Sequence, residues 1–130
     1  MKITAQTRRK RTIRIANDDF TLFNRNNDGS YSNGIKVKDI YAEWGKAVFE
    51  QKYGVGTDYK GLLVIDGTKP FVTEPADGFF TISKDDRIVP FLTDSTLAEL
   101  LEDGEKLYTV KEVSIYTMCG CLLSVEVLLG

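Results

Sequence analysis

The chain contains no histidine. That removes the side chain that most often serves as acid–base catalyst or metal ligand near neutral pH. A Ser-His-Asp triad, a Cys-His dyad and a His-ligated zinc centre are excluded with it. Cysteine is scarce: Cys119 and Cys121 flank Gly120, and no other thiol or imidazole exists to complete a four-ligand metal site. A disulfide between residues this close is strained when they lie on paired strands, and in a cytosolic chain both thiols stay reduced. The pair therefore reads as small residues of core or loop. No apolar run approaches the ~20 residues of a membrane-spanning helix, so no membrane partner is expected. The opening MKITAQTRRKRTIRIANDD is basic but lacks the apolar core of about 7–15 residues of a secretory signal. The chain is accordingly expected to be cytosolic where it is made.

What is present is ordinary for a globular protein: 130 residues, 42% hydrophobic and 28% charged, which fits one domain. The net charge of −2 hides an asymmetry. Residues 1–25 carry seven cations against two anions, a net +5, whereas the remainder carries 10 cations against 17 anions, a net −7. A basic arm on an acidic body can bind phosphate or the acidic body of a neighbouring copy.

Residues 1–17 read as that arm, separate from a single β-rich domain over 18–130. Only Ile13 and Ile15 alternate in it, so it is expected either to stay disordered alone or to become a strand where a partner supplies an edge. Asp19–Asn24 reads as a strand with Phe20 and Leu22 on one side, and Asp28-Gly29 as a tight turn. Tyr31–Trp44 is extended, with a phase slip near Asp39 that predicts a bulge. In Lys46–Tyr53 the Val, Phe and Tyr residues favour a strand over a one-turn helix. Lys60–Ile65 is a compact strand, Asp66–Pro70 a turn, and FVTEPAD (71–77) irregular because Pro75 withholds a ladder donor. One short helix is predicted over about 94–103: Thr93 or Asp94 caps it, Leu97, Leu100 and Leu101 form its apolar stripe, and Gly104 stops it. The end reads as a hairpin, Leu107–Met118 and Cys121–Leu129, around a Cys119-Gly120 turn. Its last strand is apolar on nearly both faces, so it is central or covered by another subunit. The whole is mainly β: a small β-barrel or sandwich of about seven strands with one short helix and an extended N-terminal arm.

Three places could carry chemistry or contacts. In GFFTISKDDRIVPF (78–91), two apolar runs expected as strands flank Lys84, Asp85, Asp86 and Arg87. Adjacent aspartates point to opposite faces of a strand and cannot share one ion, and nothing fixes Asp66 or Asp77 as a helper. The four residues read as an exposed, solvated loop. In the arm, Arg8, Arg9, Lys10, Arg11 and Arg14 could bind nucleic acid by counterion release. No aromatic is interleaved for base stacking and no helical pattern suits a groove, so contact with an acidic neighbour is the first reading and DNA the second. Gly54-x-Gly56 and Gly61 form no phosphate loop, since no Gly-Lys-Ser/Thr follows. Phe20, Phe23, Trp44, Phe49, Phe79 and Phe80 read as core. No catalytic residue, metal site or cofactor is expected.

In order along the chain stand FTLFNR (20–25), VKDIYAEW (37–44), KGLLVID (60–66), GFFTISKDDRIV (78–89) and LYTVKEVSIY (107–116). This ordered set resembles the small minor structural proteins of tailed bacteriophages, of the head–tail connector, head-completion or stopper type. The likeness covers residues 20–116. It implies a small β-barrel or sandwich with arms or long loops. It further implies a ring of six or twelve copies between portal or adaptor and tail, which continues the DNA channel, touches packaged DNA non-specifically and performs no catalysis. The protein would then reside in the virion, and in the host cytoplasm during assembly. The terminal CGCLLSVEVLLG is more apolar than this class suggests, which leaves a neighbouring tail-completion class open. A second reading is a small phage-encoded protein that binds and inhibits a host or defence protein.

Overall fold

The computed structural model of the chain describes residues 18–54 and 58–130. The arm over 1–17, with Arg8, Arg9, Lys10, Arg11 and Arg14, lies outside the described residues, as does Gly56. The described elements are β1 (Asp18–Phe23), β2 (Ile35–Trp44), α1 (Lys46–Tyr53), β3 (Gly61–Asp66), β4 (Arg87–Val89), α2 (Leu97–Glu102), β5 (Tyr108–Met118) and β6 (Cys121–Leu129). The six strands close into a barrel in the order β1-β2-β3-β6-β5-β4, with all neighbours antiparallel. Among the described residues the strand count is thus six rather than about seven, and there are two helices rather than one.

Closure depends on β2, which serves two neighbours in turn. Its first half pairs with β1 and its last four residues with β3. Between Phe20↔Val37 and Asp18↔Ile40, two steps on β1 face three on β2, which is the bulge expected near Asp39. Asp39 takes φ +57, and its N–H donates to the Asp19 carboxylate at 3.0 Å. The extra residue increases local twist, and twist is what turns the strand from one neighbour to the next.

The barrel interior holds Phe20, Leu22, Ile40, Leu63, Ile65, Ile88, Val110, Val125, Val127 and Leu129, all essentially without solvent exposure. Strand alternation supplies this set, since inward residues recur every second position. β1 is buried on its outer face as well: Phe23 joins Val89, Leu97 and Leu100 in a second cluster beneath α2. The Thr21 hydroxyl, also on that face, donates to the Phe91 carbonyl at 2.8 Å and accepts from Thr93 N–H. β6 is central, between β3 and β5, so the fold itself accounts for its apolar character over Val125–Leu129.

Several local expectations change. Lys46–Tyr53 is helical, because Lys46, Ala47, Glu50, Gln51 and Lys52 outweigh the β-formers among them and Lys46 pairs with Glu50 one turn on. The cap of α2 is Thr96, not Thr93 or Asp94. Its hydroxyl accepts from Glu99 N–H while the Glu99 carboxylate accepts from Thr96 N–H, a reciprocal capping box. Gly104, at φ +75, does end the helix: its N–H reaches Leu101 O and that of Glu105 reaches Leu100 O. Leu101 is exposed, so the buried stripe is Leu97 and Leu100. Phe79–Ile82 is not a strand. Its neighbour 71–77 is irregular, so only a single parallel bridge, Phe71↔Phe80, forms, with their rings edge to face at 5.9 Å. Phe79 is exposed rather than core.

Candidate interaction surface

The charged knot of residues 84–87 divides in the structure. Ser83–Asp86 form a turn closed by Asp86 N–H on Ser83 O at 3.1 Å, and Asp85 sits at φ +76. Positive φ at the third turn position is costly for a side chain other than glycine or asparagine, so the surroundings must hold it. They do so through Asp86, which is 2% exposed. One carboxylate oxygen accepts from Arg25 N–H at 2.8 Å; the other accepts from Ser83 N–H at 2.8 Å and the Asn24 amide at 2.9 Å. Asn24 also donates to Thr81 O at 2.8 Å, tying the same two segments. Lys84 and Asp85 are exposed as expected, but Asp86 is a buried anchor and Arg87 is a half-buried residue of β4. The reason is chemical: one carboxylate can accept all three of these donors, and water is not needed to satisfy it.

This anchor also determines where the barrel stops being closed. β4 pairs with β5 only through Arg87↔Thr109 and Ile88↔Tyr108, and a last pair of backbone bonds joins Asp85 N–H to Val110 O and Val110 N–H to Asp86 O. Beyond that point the turn leads the chain toward Asn24 and Arg25, away from β5. β5 nevertheless runs on to Met118, paired with β6 alone. Among the described residues no strand pairs with the other edge of β5 over 111–118.

That edge belongs to a projecting hairpin whose end is apolar and exposed: Ile115 43%, Tyr116 46%, Met118 61% and Leu123 50%. Its turn, Cys119 at φ +53 and Gly120 at φ +80, has both central residues left-handed, as the twist of a two-residue hairpin demands. Cys119 and Cys121 are free and exposed thiols at this tip, on the loop side of the core-or-loop expectation. The hairpin is fixed at its base by the neighbouring turn: Gly67 N–H donates to Leu123 O at 2.9 Å, where β6 carries one residue more than β5.

Two clefts flank these features. One, of about 770 Å³, gathers Lys60, Lys84 and Lys111 against Asp58 and Glu112, so Lys84 of the knot joins Lys60, just before β3, and Lys111 of β5. In it Tyr59 donates to Glu112. The other, of about 520 Å³, lies where Lys36, Lys38 and Lys69 surround Pro70, Phe79 and Phe80. Among the described residues, no group of three or more His, Cys, Asp or Glu is arranged to hold a metal ion, and no helix is long and apolar enough to cross a membrane.

The open β5 edge was missed in the sequence, although a signal existed. An eleven-residue strand is paired with a three-residue one, and a charged turn precedes the shorter partner. The buried role of Asp86 left no comparable mark, because its donors come from three separate positions. No family model matches the chain, and no curated protein or solved structure matches it significantly.

Proposed function

We propose that this chain is a non-enzymatic structural protein of a tailed-phage particle. In this reading it assembles as a ring at the head–tail junction, as a connector, stopper or tail-completion protein. There it links the portal complex to the tail and continues the DNA channel. The observation that carries the reading is the ordered set of five motifs from FTLFNR to LYTVKEVSIY. The resemblance implies a small β-barrel or sandwich, and the chain folds as a closed barrel. The hairpin tip supports self-assembly, since four exposed apolar side chains gathered on one projection are better hidden by a neighbour than by water. The charge split between a +5 segment and a −7 remainder gives copies a complementary contact.

Light scattering over a range of concentrations, with electron microscopy and mass spectrometry of purified particles, tests the proposal. A discrete oligomer in solution and the chain in the particle at the head–tail junction are expected. A protein that stays monomeric and is missing from particles would refute it.

A further inference from the structure

We infer that the open edge of β5, residues 111–118, is completed by the N-terminal segment of a second copy, Arg11–Ala16, added as a strand. The inference rests on the self-assembly reading above and names the contact that would produce it.

Three observations lead there. The first is the edge itself. An unpaired strand edge presents a row of N–H and C=O groups that another strand can match, and long apolar edges are normally protected. This one carries Ile115 and Met118 exposed and has no paired strand among the described residues.

The second is the sequence that precedes β1. Thr12-Ile13-Arg14-Ile15 alternates with period two, which is strand patterning with little else to justify it in a basic segment. Ile13 and Ile15 on one face match Val113 and Ile115, which alternate on the face that β6 continues with Val125 and Val127. Arg14 then lies on the face of Glu112, so the pairing joins opposite charges across strands.

The third is reach, which selects the occupant. Phe23 is level with Arg87, and Arg87 with Thr109, so β1 and β5 run parallel and Asp18 sits five residues to the side of Thr109 away from the hairpin. From Asp18 to the near end of the open edge at Lys111 is therefore about seven residue heights, on the order of 23 Å, and to Ile115 about 36 Å. Ile15 and Ile13 are three and five residues from Asp18, a span of at most about 11 and 18 Å fully extended. A chain cannot lay these residues on its own β5 edge; a second copy can. Asp18, from which the arm departs, and the open edge lie toward opposite ends of the barrel, so the contact is heterologous, the type that propagates from copy to copy and closes into a ring when the rotation allows.

The test uses the full chain and one full-length variant, Ile13→Pro with Arg14→Pro. Adjacent prolines remove a ladder donor whichever side of the strand faces β5. Hydrogen exchange is followed at amides 111–118 together with mass by light scattering, at high and low protein concentration. In the assembled wild type, edge amides should exchange at least about tenfold more slowly than after dilution to monomer, and the variant should lose both the protection and the assembly. An assembled wild type with unprotected edge amides overturns this inference and leaves the ring reading standing. Protection that persists in the variant also overturns it and assigns the edge to another occupant. A wild type that is monomeric at every concentration overturns both. Should that variant misfold, full-length Ile13→Lys with Ile15→Lys, which removes the apolar match without prolines, is read in the same way, with the same outcomes.

Discussion

Replacing Asp86 tests the anchor at the charged turn. The carboxylate accepts from two backbone N–H groups and one side-chain amide, all at 2.8–2.9 Å, with 2% exposure. A hydrogen bond to a charged group contributes about 1.5–3 kcal/mol, but the turn lies near the surface and water can reach some donors once the carboxylate is gone. Asp86→Ala should therefore cost about 3–4 kcal/mol, somewhat below the roughly 4.5 kcal/mol minimum of the three-bond total. Asp86→Asn is the sharper variant. It preserves volume and one acceptor, yet its amide NH₂ must face either the Arg25 donor or the Ser83 and Asn24 donors. A loss of about 2–3 kcal/mol is expected from that mismatch. Trp44, the one tryptophan, is half-buried with its ring 5.2 Å from that of Tyr108 and tilted 40° to it, so it reports unfolding by fluorescence. With a urea slope of about 1.5 kcal/mol/M, the midpoint should fall by roughly 1.3–2 M for Asp86→Asn. Asn24→Ala combined with Asp86→Ala should cost less than the two single losses added, because they share a bond. An Asp86→Asn stability within about 0.5 kcal/mol of wild type would show that the carboxylate holds nothing and that the turn stands without it.

Thr96→Ala should cost about 1 kcal/mol and lower Tm by a few degrees, since it removes the hydroxyl half of the capping box; calorimetry checks this, and an unchanged Tm would mean α2 is held by packing alone. Gly67→Ala should destabilise by about 2 kcal/mol, because the new Cβ would fall 2.1 Å from Leu122 O and force backbone apart at the base of the hairpin. The same urea titration reads it, and a neutral result would show that the β6 bulge yields freely. Burial raises the Tyr108 phenol above its ordinary value of 10.0, against a smaller opposing hydrogen bond with the Gly45 backbone. The folded state therefore holds this proton more tightly than the unfolded state, so the contribution is fully present below pH 10 and is lost as pH rises through the folded value. Absorbance at alkaline pH should show a late tyrosine step, and Tyr108→Phe should reduce it by one phenol.

Much of the architecture was legible because it rests on local rules. The period-two alternation of Phe20 and Leu22, of Leu63 and Ile65, and of Val125, Val127 and Leu129 marks inward faces that the barrel uses. The slip at Asp39 marked a bulge, and Cys119-Gly120 a two-residue turn. Segments with mixed signals were less readable. Lys46–Tyr53 holds helix formers and β-formers together, and Phe79–Ile82 carries strand residues without a regular neighbour to pair with. A strand needs a partner, and the partner's identity is not written in the strand.

The sequence by itself determined the class of the fold, the place of most turns, the short helix α2 and the separation of a basic segment from an acidic remainder. Each follows from side-chain period, glycine and proline placement, or charge, which act within a few residues. Only the tertiary structure decided that Asp86 is a buried anchor while its neighbour Asp85 stays in water. Its donors, Asn24 and Arg25, are some sixty residues away in the chain. The open edge of β5 follows from the same anchor, since the carboxylate draws the chain toward β1 at the point where pairing with β5 would have continued. Burial and pairing depend on what the chain brings together from a distance, and that is settled by packing.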